Sequence, residues 1–184
     1  IQGCAIQDIK SIQIAKYVVD AIKEFNLSVY DEKTGKGLMR HVVVKAAKST
    51  EQYMVILVIN ANELPHAKEI ARSLVGACHS IASVVVNVNT KNTNVILGDK
   101  NITVYGRDYI TDRLGDYFFK ISPLSFYQVN PVQAEALYNY AIEAAEITKD
   151  DIVFDLYCGI GTISIFMADS AKEVYGVEIV EQAI

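Results

Sequence analysis

Two carboxylates and two glycines near the end of this chain are spaced for nucleotide chemistry. Asp155 sits in a short apolar run, Ile152 to Leu156, and Gly159 and Gly161 follow it. Glycines at that spacing let a backbone turn sharply and admit a ligand with no Cβ in the way. Glu178 ends a second apolar run about 20 residues after the loop, where a carboxylate can accept both hydroxyls of an adenosine ribose. The dinucleotide fingerprint asks for Gly or Ala at the position held by Ser164, for close helix packing beside a diphosphate. A serine there, with Asp155 poorly placed beside a diphosphate, argues against a nicotinamide dinucleotide. It favours a cationic methyl donor, S-adenosylmethionine, whose sulfonium and ammonium groups complement the acids. A βαβ unit with no ligand is the plainer reading of the same pattern.

The neighbours of the glycines divide between chemistry and packing. Cys158 invites the role of nucleophile, but a small residue beside a glycine turn more simply fills space under a ligand. Tyr157, an aromatic at a strand end, can lie against the adenosine or the methionine moiety, or pack on a preceding helix. The other cysteines, Cys4 and Cys78, share neither a zinc spacing nor a disulfide framework with it, which fits a reducing compartment.

The elements that must position this loop follow from hydrophobic spacing. Ile12, Ala15, Val18, Val19, Ile22 and Phe25 predict an amphipathic helix over residues 8–25, and Leu64 to Cys78 returns to that spacing with Pro65 near its start. Between them, DEKTGKG at 31–37 is a turn, and 40–48 and 52–61 read as antiparallel strands. Residues 81–88 predict a strand, and Asn94–Leu97, Ile102–Tyr105 and Asp116–Ile121 read as short strands of a mixed sheet. Asn130 caps and Pro131 opens a helix to about Ile147, its buried side being Ala134, Leu137, Ala141, Ile142 and Ala145. The expected class is α/β: a central α+β domain over residues 1–118, then the N-terminal part of a Rossmann-like methyltransferase fold over 119–184.

Composition narrows the partners. The chain is 51% hydrophobic and 21% charged, ordinary for a globular protein, with no apolar run long enough to span a bilayer and no signal segment at its start. A cytoplasmic protein without membrane association is expected. The net charge of −5 is unevenly spread: residues 1–120 hold 15 Lys and Arg against 12 Asp and Glu, and residues 121–184 hold 2 against 10. Lys33, Lys36, Arg40, Lys45 and Lys48 share a window with no acid, a strip that either neutralises RNA phosphates or is simply the solvated face of a hairpin.

Three segments together, SPLSFYQVN (122–130), DLYCGIGTISIF (155–166) and VYGVEIVEQAI (174–184), resemble the RNA uracil-C5 methyltransferases, and GLMRHVVVK (37–45) is similar to their central domain. The 23S rRNA type is favoured over the tRNA type. The resemblance implies an S-adenosylmethionine site made by Gln128, Tyr157, Thr162 and Glu178, with Gly159 and Gly161 shaping the loop and Asp155 beside it. Thr162 stands where an Asn is sometimes found. It also implies an RNA-contacting central domain.

In such enzymes a cysteine thiolate adds to uracil C6, C5 of the resulting enolate takes the methyl group, and a glutamate base removes the C5 proton. That cysteine and glutamate would lie beyond Ile184, so no catalytic residue is assigned and the chain alone is expected to be inactive. Cys4 resembles the last of four iron–sulfur ligands, the others preceding Ile1, so a 4Fe-4S cluster is expected only in a full-length protein. An unfinished parallel sheet at 150–184 is expected to bury apolar surface against a second chain.

Overall fold

In a computed structural model, which describes residues 3–180, the chain forms two compact units that divide between Ile110 and Thr111. The division falls earlier than the expected boundary at 118, so the strand pair that follows groups with the second unit.

The first unit is built on a four-stranded sheet of β1 (Met39–Ala47), β2 (Gln52–Ile59), β3 (Ile81–Val88) and β4 (Lys100–Gly106) in that spatial order. β1–β2 and β3–β4 are antiparallel and β2–β3 is parallel, the crossover being made by α2 (Ala67–Ala77), so the sheet is mixed as expected. α1 (Ile9–Glu24) starts where Asp8 accepts the Ser11 N–H at 2.8 Å, relieving one of the helix's unpaired donors. Burial works against the Asp8 charge, but the Ser11 N–H and hydroxyl and the Tyr53 hydroxyl outweigh it and hold its carboxyl below the ordinary range.

The buried stripe of α1 is Ser11, Ile14, Val18 and Ala21, rotated from the expected one, and Val19 is exposed. Ile14, Val18 and Ala21 of this stripe join one core with Tyr53, Val55 and Leu57 of β2, Ile70 and Leu74 of α2, and Val84 and Val86 of β3. Each aliphatic side chain fully buried there contributes about 1.5–3 kcal/mol. The segment Asn94–Leu97, expected as a strand, is irregular, because its carbonyls are taken by side chains instead of a neighbouring strand.

The second unit takes up at Thr111, within β5 (Ile110–Leu114), which forms a hairpin with β6 (Tyr117–Ile121), and continues with α3 (Pro131–Ala144), β7 (Ile152–Asp155), α4 (Thr162–Ala168) and β8 (Glu173–Gly176). β5 was not expected, because its alternation of Ile110, Asp112 and Leu114 puts a buried carboxylate where an apolar residue would mark a strand. Asn130 caps α3 through the Gln133 N–H, with Pro131 in the first turn where its missing donor costs nothing. The buried side of α3 is Ala134 and Tyr138; Leu137, expected inside, is 60% exposed. Leu114, Phe119, Ala134, Tyr138 and Phe166 form the core that seats α4.

Candidate cofactor site

β7 and β8 pair in parallel with Ile152 opposite Glu173 and Asp155 opposite Gly176. This register brings the residues after Asp155 beside those after Gly176, so the glycine loop and Glu178 meet although they lie far apart in sequence. The Cys158 N–H donates to the Val177 carbonyl at 3.1 Å and the Val177 N–H to the Asp155 carbonyl at 2.8 Å, extending the pairing past the strand ends.

Gly159 and Gly161 both have positive φ, 56° and 75°, a region that costs a Cβ-bearing residue a steric penalty. A Cβ at Gly159 would meet nothing within 4 Å, so the space above it is open. Its N–H donates to Glu178 Oε2 at 2.9 Å, while Glu178 Oε1 accepts the Val180 N–H at 2.8 Å. The Val180 N–H first, and with it the Gly159 and Ile179 N–H groups, outweigh burial and hold the Glu178 carboxyl below its ordinary range. The carboxylate is therefore charged and fixed beside the loop.

Asp155 is a brace. Ser164 donates to its Oδ2 at 2.6 Å and the Tyr157 N–H points to its Oδ1 at 3.4 Å, so the serine that replaces the third glycine ties the helix back to the strand. In the sequence Ser164 stands only as a missing glycine. Gly176 belongs to no motif, yet a Cβ there would come within 2.9 Å of Cys158 Sγ. Burial first, then the charges of Asp155 and Glu178, push the Cys158 thiol up, which keeps it protonated and fits a space-filling residue.

Tyr157 is 92% exposed, its ring available to a ligand. The Thr162 hydroxyl lies 3.1 Å from the Tyr138 hydroxyl, so it is already engaged by α3. Gln128 lies half-buried in the irregular segment before α3. That segment is ordered by a reciprocal serine pair: the Ser122 N–H donates to Ser125 Oγ and the Ser125 N–H to Ser122 Oγ, both at 3.2 Å. The Tyr127 hydroxyl is buried beside Asp112 outside hydrogen-bond geometry, and burial, then that charge, push its ionisation up. The last four residues of the 174–184 segment lie outside the described residues.

The expected RNA-contacting residues do not form one strip. Lys33 and Lys36 are exposed on the turn before β1 and Lys48 is exposed beyond its far end. Lys45 is half-buried within the strand, and burial lowers its pKa to about 8. Arg40 is withdrawn from any such strip: its side chain is 1% exposed, and its guanidinium donates to the carbonyls of Asn89, Lys91 and Thr93 and stacks on Tyr30. Cys4 is an exposed free thiol. Among the described residues, no three His, Cys, Asp or Glu converge as a metal site, and no helix is long and apolar enough to cross a membrane.

A parallel β–loop–α–β unit with a fixed acid after the second strand is the nucleotide-binding unit of Rossmann-like folds, and a solved structure places it among the S-adenosylmethionine-dependent methyltransferases. The chain aligns over its full length with 44% of the tRNA (uracil-54, C5)-methyltransferase of Pyrococcus abyssi, solved with S-adenosyl-L-homocysteine, at a TM-score of 0.80 and 28% identity. The family model for tRNA (uracil-5-)-methyltransferase matches residues 42–184, and the chain belongs to that family. Its curated relatives include uncharacterised RNA methyltransferases of Clostridium tetani, 47% identical, and Clostridium acetobutylicum, 44% identical. Both alignments cover all of this chain and 40% of the relative, so the chain spans less than half the length of those relatives.

Proposed function

We propose that this chain forms the near wall of an S-adenosylmethionine site in a longer, cytoplasmic enzyme that methylates C5 of uridine in 23S rRNA. The observation that carries the reading is the Glu178 carboxylate, held charged beside the open Gly159 by the β7–β8 register. Its oxygens accept the ribose hydroxyls of the cofactor, Tyr157 lies against the adenosine or methionine moiety, and Gln128 reaches it from before α3. Asp155 adds negative charge beneath a cationic ligand. The cofactor supplies an electrophilic methyl group; the residues present bind and orient it.

The nucleophile and base are assigned to the remainder of the longer protein, so this chain alone binds cofactor without transferring methyl. Cys4 supplies one ligand of an iron–sulfur cluster in that protein, a single thiolate being insufficient here. A tRNA substrate is the second reading, favoured by the Pyrococcus neighbour. The test is a methyl-transfer assay on the full-length protein with 23S rRNA and tRNA transcripts, alongside calorimetry with S-adenosylhomocysteine and NADH. Product at uridine C5 of 23S rRNA is expected. Methylated tRNA alone would select the second reading, and NADH binding without S-adenosylhomocysteine binding would overturn both.

A further inference from the structure

The basic window of the sequence is divided by the strand it runs through, and another surface takes its place. β1 puts nine residues between Lys36 and Lys48, about 30 Å of extended chain. Across the sheet, Met39 pairs with Ile59, Ile59 with Val88 and Val88 with Lys100. The turn at 31–37 and the β3–β4 connection at 89–99 therefore share one end of the sheet.

Both are irregular, and both are held by side chains committed to that task. In the turn, Asp31 Oδ1 accepts the N–H groups of Lys33 and Thr34, and Asn60 donates to the carbonyls of Gly35 and Gly37. In the connection, Asn89 donates to the carbonyls of Val95 and Ile96, and Asn87 both donates to and accepts from Gly98. Arg40 joins the two: its guanidinium lies 4.8 Å from the Tyr30 ring and donates to Asn89, Lys91 and Thr93 at 3.1, 2.8 and 2.7 Å. Removing a guanidinium from water is costly, and here it fixes a loop that could otherwise lie loosely in solvent.

The groups this scaffold displays are of two kinds. Lys33, Lys36 and Lys100 are exposed cations, Lys91 is exposed and paired with Asp99, and Val95 and Ile96 are exposed aliphatics between Lys91 and Lys100 in chain order. The acids at this end are engaged: Asp31 in its turn, Glu32 at 3.9 Å from both Arg40 and His41, and Asp99 on Lys91 at 2.7 Å. Lysines neutralise phosphates, and aliphatic side chains pack on sugars and unstacked bases. A backbone ordered beforehand spends less entropy on binding.

We infer that this end of the sheet, turn 31–37 with connection 89–99, is the surface on which the first unit docks single-stranded or looped RNA. The inference rests on the RNA reading above and adds the place and mode of contact. It is tested by fluorescence anisotropy of this chain with a labelled uridine-containing stem-loop RNA between 50 and 200 mM KCl. The variants are K33E/K36E, K91E/K100E and, at the far end of β1, K48E.

Each double variant is expected to weaken binding at least tenfold and to flatten the salt dependence by one to two units of slope, with K48E within twofold of the unsubstituted chain. The charge-neutral V95S/I96S is expected to weaken binding severalfold at an unchanged salt slope. If both double variants bind like the unsubstituted chain, or K48E alone loses affinity, the surface is overturned while the methyl-transfer reading, tested by cofactor and product, stands. Failure of the unsubstituted chain to bind RNA at 50 mM KCl overturns RNA as the occupant and leaves a protein partner for that end.

Discussion

Two residues show how charge is used differently in the two units. Glu178 is a carboxylate that the fold keeps ionised beside the glycine loop, and Glu178→Ala removes the acceptor of the Gly159 N–H together with the acceptor proposed for the ribose. Loss of a charged hydrogen-bonding group of this kind is expected to weaken S-adenosylhomocysteine binding by roughly 10- to 100-fold, read by calorimetry on the full-length protein. Lys45 is the opposite case. Its folded pKa of about 8 lies below the unfolded value of 10.5, so the unfolded chain binds more protons between them. The penalty is fully present below pH 8 and is relieved as pH rises toward 10.5. Lys45→Met is therefore expected to raise urea stability at pH 7, with its advantage over the parent shrinking between pH 8 and 10. A constant difference across that range would show that Lys45 is not penalised by burial. These roles were partly legible: Glu178 was named from its distance to the glycines, whereas the burial of Arg40 was invisible because only the tertiary fold brings residues 89–93 to it.

At the scale of elements, the connection between β3 and β4 behaves as a designed piece although it has no regular structure. Arg40→Met removes three donors from carbonyls that face it and is expected to cost about 2–4 kcal/mol, with faster amide exchange confined to 89–99. Arg40→Lys, which keeps the charge but lacks the planar fork, is expected to recover only part of this. Gly98 belongs to the same construction. A Cβ there would come within 1.9 Å of the Val88 carbonyl oxygen, so Gly98→Ala is expected to destabilise by more than the few tenths of a kcal/mol typical of surface changes, read as a lower urea midpoint. Helices and the long strands were legible because their periodicity is local. Asn94–Leu97 reads as a strand by propensity, yet Asn89 and Arg40 satisfy carbonyls in and beside it, and the ladder partner a strand would need is not used. The orientation of α1 and α3 was misjudged for a related reason: several stripes on each helix are apolar, and only the facing sheet or α4 selects one.

For the molecule as a whole, the two units differ in how far their apolar surface is covered. The first has a sheet with a covered helical side and a closed core. The second has two parallel strands whose Phe154 and Tyr175 stack at 5.3 Å while remaining 63% and 48% exposed, beside exposed Ile152, Leu156 and Val177. An apolar patch of that kind favours association. This chain is expected to self-associate with rising concentration in light scattering, and Phe154→Asp to shift it toward monomer; a concentration-independent monomer would contradict the expectation. The order of the units along the chain has a further consequence for biogenesis. Every strand of the mixed sheet is encoded before residue 107, and Asp155 follows about 50 residues later. At 5–20 residues per second that interval is roughly 2–10 s, against milliseconds to seconds for a mixed α/β domain to fold. During synthesis the surface bearing Lys33, Lys36, Lys91 and Lys100 has time to form before the glycine loop has been translated.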